Sequence, residues 1–144
     1  RIIRELIEFQ PKSHKTDIAQ ALKFLSGTQK KKAIVFVISD FMAEDYEHTL
    51  KIAAKKHDIT GIRVYDIREE KIPDLGMVSM LDAETGQIQL VNTGSKSVRM
   101  NYEKQYHDKV NYFKETFSKS GSGVVNTRVD ESYVTKLLSY FKSR

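Results

Sequence analysis

Cysteine is missing from all 144 residues, which removes disulfides, a thiolate nucleophile and any cysteine-based metal site at once. That absence fits a reducing cytosol without establishing a compartment. Proline occurs only as Pro11 and Pro73. Long hydrophobic runs are missing too. The longest, Ala33-Ile34-Val35-Phe36-Val37-Ile38, is far below the ~20 residues that a membrane-spanning helix needs. No signal peptide is recognisable at the start. The first residue is Arg1, not Met, so the sequence is expected to be a piece of something longer. On that expectation a membrane is reached only through segments upstream of it.

What is present suits one domain. A chain of this length buries roughly two-thirds of its unfolded surface, and 40% apolar with 30% charged residues is ordinary for a globular protein. The net charge is +5 with a pI near 9.3. Its lysines form short clusters, Lys30-Lys31-Lys32 and Lys55-Lys56. Such clusters suit nucleic acid or anionic lipid. They equally suit solvated helix ends, where cations complement the dipole. The second reading is adopted, and no nucleic-acid partner is expected.

Periodicity then orders the chain. Residues 1–9 read as an amphipathic segment stopped by Pro11. Thr16 and Asp17 offer oxygens to the amides of a new helix. Its face is Ile18, Leu22 and Leu25, and Gly27 ends it. Residues 33–39 are continuously apolar and β-branched, as in a strand buried on both faces of a parallel sheet. A helix over about 43–57, with Tyr46, Leu50, Ala53 and Ala54 inward, leads into a strand over 59–65. This spacing is that of a parallel crossover. Residues 77–81 and 87–91 flank a turn ending at Gly86 and predict a hairpin. Val98, Tyr102, Tyr106, Val110, Phe113 and Phe117 make one stripe on a helix over 95–120. A short strand over 124–129 follows. Asp130 or Ser132 caps a last helix with Val134, Leu137, Leu138 and Phe141 inward. The order predicts a three-layer α/β sandwich with a hairpin as an excursion from the sheet.

Few residues offer chemistry. Asp40 follows the apolar strand at its carboxyl end, where open α/β sheets bind ligands. It serves equally well as a cap for the helix beginning near Ala43. Thr16 reads as an N-cap, or as a hydroxyl for a hard cation. One carboxylate and one hydroxyl fall short of the six or so oxygens such an ion takes. His14, His48, His57 and His107 lack the mutual spacing of a zinc site. There is no glycine-rich phosphate loop and no Gly-x-Ser-x-Gly. Asp66 and Asp130 are further acids, but nothing in the sequence ties them to Asp40.

At Thr16 and Asp40 a resemblance enters. Lys15-Thr16-Asp17-Ile18-Ala19-Gln20-Ala21-Leu22 resembles the Gly-Thr-Asp-Leu-x-x-Ala-Leu segment of von Willebrand factor A domains. Val35-Phe36-Val37-Ile38-Ser39-Asp40-Phe41 resembles their later strand ending in Ser/Thr-Asp. Further stretches resemble the bacterial family known as domain of unknown function 58. These are Ile38-Ser39-Asp40-Phe41, Arg63-Val64-Tyr65-Asp66, Leu81-Asp82-Ala83-Glu84-Thr85-Gly86 and Asp130-Glu131-Ser132-Tyr133-Val134. The likeness runs over about residues 13–142.

The resemblance implies one partial von Willebrand factor A-like, Rossmann-like domain over residues 1–144, with its opening strands missing upstream. It implies a metal-ion-dependent adhesion site in which Thr16 and Asp40 are second- and third-loop ligands. The Asp-x-Ser-x-Ser loop of that site is absent, and Ser118-Lys119-Ser120 is a poor substitute without a leading aspartate. Lys15 also replaces the second-loop glycine. Mg²⁺ is thus expected only in a full-length parent and not in this chain.

Without the opening strand, the strand at 33–39 has a bare edge. We expect it to be covered by another copy of the chain or by residues 1–9. The function implied is a non-catalytic protein-interaction module working with a MoxR-type AAA+ ATPase. Its place would be the cytoplasm or the cytoplasmic side of the inner membrane. A phosphatase-like or receiver-like enzyme, and nucleic-acid binding through the basic surface, are the alternatives.

Overall fold

The computed structural model describes residues 2–10, 15–82 and 86–143. Pro11, His14 and the Ala83-Glu84-Thr85 part of the hairpin turn lie outside the described residues. Helix α1 (Ile2–Glu8) precedes α2 (Ile18–Thr28), strand β1 (Ile34–Ser39), helix α3 (Glu47–Ala54) and strand β2 (Asp58–Tyr65). A 3-10 turn (Ile67–Glu69) leads to β3 (Met77–Leu81) and β4 (Ile88–Asn92). Helix α4 (Lys96–Lys119), β5 (Gly123–Arg128) and α5 (Tyr133–Lys142) complete the order.

Strands β1, β2 and β5 form a parallel sheet in that spatial order, and β3 and β4 an antiparallel pair. Register puts Val37 beside Gly61 and Gly61 beside Val124 on one face. That face carries the core: Ile18 and Leu22 of α2, Tyr46, Leu50 and Ala53, Ile59, and Phe113 and Phe117 of α4. On the opposite face Phe36, Thr60 and Gly123 are in register. There α5 lies over β5, with the Tyr140 hydroxyl 3.0 Å from Thr60 Oγ1. Helices on both faces of a mostly parallel sheet make the three-layer α/β sandwich that the strand–helix alternation predicts.

The α4 stripe forms as expected, with Tyr106, Val110, Phe113 and Phe117 buried. Four details differ. Gly27 lies inside α2, which runs on to Thr28. Helix α3 starts at Glu47 rather than near Ala43, because residues 40–46 spend two positive-φ residues, Phe41 and Asp45, on a tight connection. Strand β1 is not buried on both faces: Ile34, Phe36 and Ile38 are 68%, 46% and 67% exposed. Helix α5 is too displaced towards β5 to cover them, and only Phe141 meets Phe36, edge to face at 6.1 Å. Nor do its own Val134, Leu138 and Phe141 turn inward; all three are about half exposed.

Phe41 carries core weight that the periodicity did not assign to it. It is fully buried at φ 56°, in the left-handed region that L-residues other than Asn and Asp seldom enter. Its ring stacks on Phe113 at 4.0 Å and meets Phe117 edge-on at 5.3 Å. The aromatic contact holds the strained turn in place.

Candidate functional site

The carboxyl end of the sheet is where the sequence placed its chemistry. Asp40 is exposed there, directly after β1. Its Oδ1 accepts hydrogen bonds from the Met42 amide and the Ser39 hydroxyl, both at 3.2 Å. The Ser39 hydroxyl in turn accepts from the Phe41 amide at 3.1 Å. These bonds are what stabilises the turn at Phe41. Asp40 therefore caps a turn at residue 42, not the helix that starts at Glu47.

Beside it stands a buried cation. Arg63 of β2 is only 2% exposed. Its Nε donates to the Asp40 carbonyl at 3.1 Å and a terminal nitrogen donates to the Tyr106 hydroxyl at 2.6 Å. The guanidinium lies 4.2 Å from the centre of the Tyr65 ring. A buried guanidinium needs such partners, since its desolvation costs several kcal/mol if they are missing. Arg63 thus pins the end of β1 to β2 and α4.

Thr16 is exposed and precedes α2. The capping role falls to Asp17, whose Oδ1 accepts from the Gln20 amide at 2.7 Å. Helix α2 packs on α3, and its carboxyl end meets the start of the sheet, where the Lys56 ammonium donates to Gln29 O at 2.6 Å. Thr16, before α2, and Asp40, after β1, stand on separate connections. Among the described residues no bond joins the two.

Asp66 and Asp130 follow β2 and β5 at the same sheet end. Asp66 Oδ1 accepts from the Arg68 amide at 2.9 Å. Asp130 takes both of its bonds, at 2.9 and 3.0 Å, from the Arg128 fork. Each acid serves its own turn. Among the described residues Asp40 joins no group of three acid or histidine ligands. A hydroxyl and a carboxylate, with Arg63 alongside, do not fit the oxygen shell of Mg²⁺, so no step is derived through that ion.

One ligand group does assemble elsewhere: Glu70 with Glu103 and His107. Glu103 and His107 stand four apart on α4, a spacing visible in the sequence. Glu70 comes from the far side of the crossover, and no spacing rule reaches it.

The fold and this site define a class: an α/β sandwich domain with, among its described residues, β1 unpaired on its outer side and an acid–histidine cluster. The chain belongs to the family described as "Protein of unknown function DUF58", whose model matches residues 1–112. It is 26% identical over 129 residues to an uncharacterised protein of Mycobacterium avium, covering 89% of this chain and 76% of that protein. An uncharacterised protein of Mycobacterium tuberculosis is 23% identical over 135 residues, covering 93% of this chain. This chain spans 42% of that relative's length. Among solved structures, the conserved hypothetical protein BatB from Bacteroides thetaiotaomicron aligns with a TM-score of 0.43 at 20% identity, over 96% of this chain and 61% of that one. No described helix is long and apolar enough to cross a membrane.

Proposed function

We propose that the chain is a non-catalytic protein-interaction module and that, in the chain as it stands, a second copy occupies the edge and face of β1. One observation carries this reading. Among the described residues β1 pairs on one side only, with β2, and Ile34, Phe36 and Ile38 stand exposed along it.

Isolated sheet edges are ordinarily blunted by charge, proline or a bulge. The strand Ile34-Val35-Phe36-Val37-Ile38-Ser39 has none of the first two. It is also self-complementary. Antiparallel pairing centred on Phe36 sets Ile34 opposite Ile38 of the partner strand and keeps the apolar residues on one face. A two-fold interface needs only that one patch.

The edge alone is about 20 Å long, which falls short of the ~800 Å² per partner of a standard interface. Helix α1 supplies more. Ile2, Ile3, Ile7 and Phe9 are each about three-quarters exposed, so these four side chains do not cover the edge of their own chain. In the dimer they cover the apolar face of the other copy.

In the assembled protein a MoxR-type AAA+ ATPase is the proposed partner, on the cytoplasmic side of the membrane; family membership alone supports this. Thr16 and Asp40 are what this chain contributes to an adhesion-site rim, and the reading does not depend on a metal there.

Light scattering after size exclusion tests the proposal. The wild-type chain runs at twice 16.6 kDa with slowly exchanging amides at 34–38. Ile38→Lys and Ile34→Lys each shift it to the monomer with unchanged circular dichroism, and removal of residues 1–10 does the same with loss only of the helical signal of α1. A monomeric wild type at high protein concentration overturns the proposal.

A further inference from the structure

We propose that Glu70, Glu103 and His107 form a binding site for a divalent cation of the zinc class. Their ligand atoms all lie within 4.8 Å of one another. His107 Nε2 is 3.6 Å from Glu70 Oε1 and 3.9 Å from Glu103 Oε1. Both separations exceed the 2.7–3.2 Å or so of a hydrogen bond. They are close to what a shared ion imposes: zinc bonds of roughly 2.0–2.2 Å at tetrahedral angles set neighbouring ligand atoms about 3.3–3.6 Å apart. A contraction of a few tenths of an ångström brings His107 to both glutamates, whose own oxygens already lie within 4.8 Å of each other.

The backbone favours that geometry. Glu103 and His107 sit one turn apart on α4 and project from the same face. Glu70 follows the 3-10 turn after β2, so an ion would tie that segment to α4. All three side chains are 30–49% exposed, which leaves a hydrated ion a way in and a position for water. Lys71 Nζ stands 3.4 Å from Glu103 Oε1. It is the cation that holds Glu103 when no metal is bound, and it is displaced on binding. Two carboxylates then neutralise the ion. An imidazole beside two carboxylates selects zinc or a similar borderline ion over Mg²⁺ and Ca²⁺, which take oxygen ligands.

Calorimetry on chelator-treated full-length chain tests the site, with Zn²⁺ and Mg²⁺ as titrants and Co²⁺ absorption as the spectroscopic readout. The wild type takes up one Zn²⁺ that Mg²⁺ does not displace, and Zn²⁺ raises its Tm. Loss of a supporting residue around a metal ligand typically costs 10–100-fold in affinity. His107→Ala, Glu103→Gln and Glu70→Gln, which remove ligands themselves, should therefore each weaken uptake by about tenfold or more. Lys71→Ala binds at least as tightly as wild type. Equal Zn²⁺ affinity in wild type and His107→Ala, failure of the wild type to bind, or Mg²⁺ binding as tight as Zn²⁺ each overturn the assignment.

Discussion

Gly61→Ala is the sharpest test of how the sheet meets its helices. Gly61 lies mid-strand in β2, between Val37 and Val124. A Cβ built there comes within 2.6 Å of Phe117 Cε1, 2.7 Å of Phe113 Cε2 and 2.9 Å of Phe117 Cζ. Both rings are fully buried, and Phe41 packs against each of them, so neither has room to retreat. Overpacking of this kind costs about 1–3 kcal/mol. Against it stands the entropy that alanine removes from the unfolded chain, roughly 0.4–1 kcal/mol. Taken at the middle of both ranges, the net loss is about 1.3 kcal/mol, or a Tm lower by roughly 4 °C for a chain of this length. Thermal and urea unfolding should agree, with the m-value unchanged. Trimming the ring with Phe117→Leu should make the double variant lose less than the sum of the singles. A Gly61→Ala protein as stable as wild type would refute the tight contact of β2 with α4.

Two further outcomes follow from single groups. Burial pushes the Tyr46 phenol well above its ordinary value near 10, with Tyr112 adding to the shift. The folded chain therefore keeps a proton that the unfolded chain loses, so stability is intact below about pH 10 and falls as the pH rises beyond it. Among the described residues the Tyr46 hydroxyl also has no hydrogen-bond partner, so Tyr46→Phe should be at least as stable as wild type at neutral pH. Its advantage should widen above pH 10; a Tm difference flat from pH 8 to 11 contradicts this. At the start of α2, Asp17→Ala should cost about 0.5–2 kcal/mol in urea unfolding, whereas Thr16→Ala stays within ~0.5 kcal/mol. Equal losses would return the cap to Thr16.

The elements legible in the sequence are those whose burial is decided locally. The stripe on α4 and the alternation of β1, α3 and β2 needed only spacing. The turn glycine of the hairpin was equally readable, and Gly86 does take φ 69°. Readings failed where a distant element decides the outcome. An apolar run such as residues 33–39 looks the same whether or not a helix lies over its second face; here α5 sits over β5 instead. The same displacement left Val134 and Leu138 in solvent. No periodicity assigned Phe41 to the core, because its burial depends on Phe113, 72 positions away in the sequence numbering. The acid–histidine group was half legible: Glu103 and His107 share a helix face, but the placement of Glu70 is a property of the crossover.

The energetics of β1 explain why both parts of the proposed interface are needed. Full burial of an Ile or Phe side chain is worth about 1.5–3 kcal/mol. Ile34, Phe36 and Ile38 are between 46% and 68% exposed, so covering them recovers roughly 3–5 kcal/mol per copy. Association costs an estimated 4–15 kcal/mol in lost freedom, which the strand face from two copies barely offsets. Ile2, Ile3, Ile7 and Phe9 are more exposed still, at 72–78%, and their burial adds a contribution at least as large from each copy. Edge pairing supplies register and direction, because one residue of slip would turn Phe36 to the wrong face. Helix α1 supplies most of the apolar area. A dimer that survives removal of α1 would therefore be held by something other than these two surfaces.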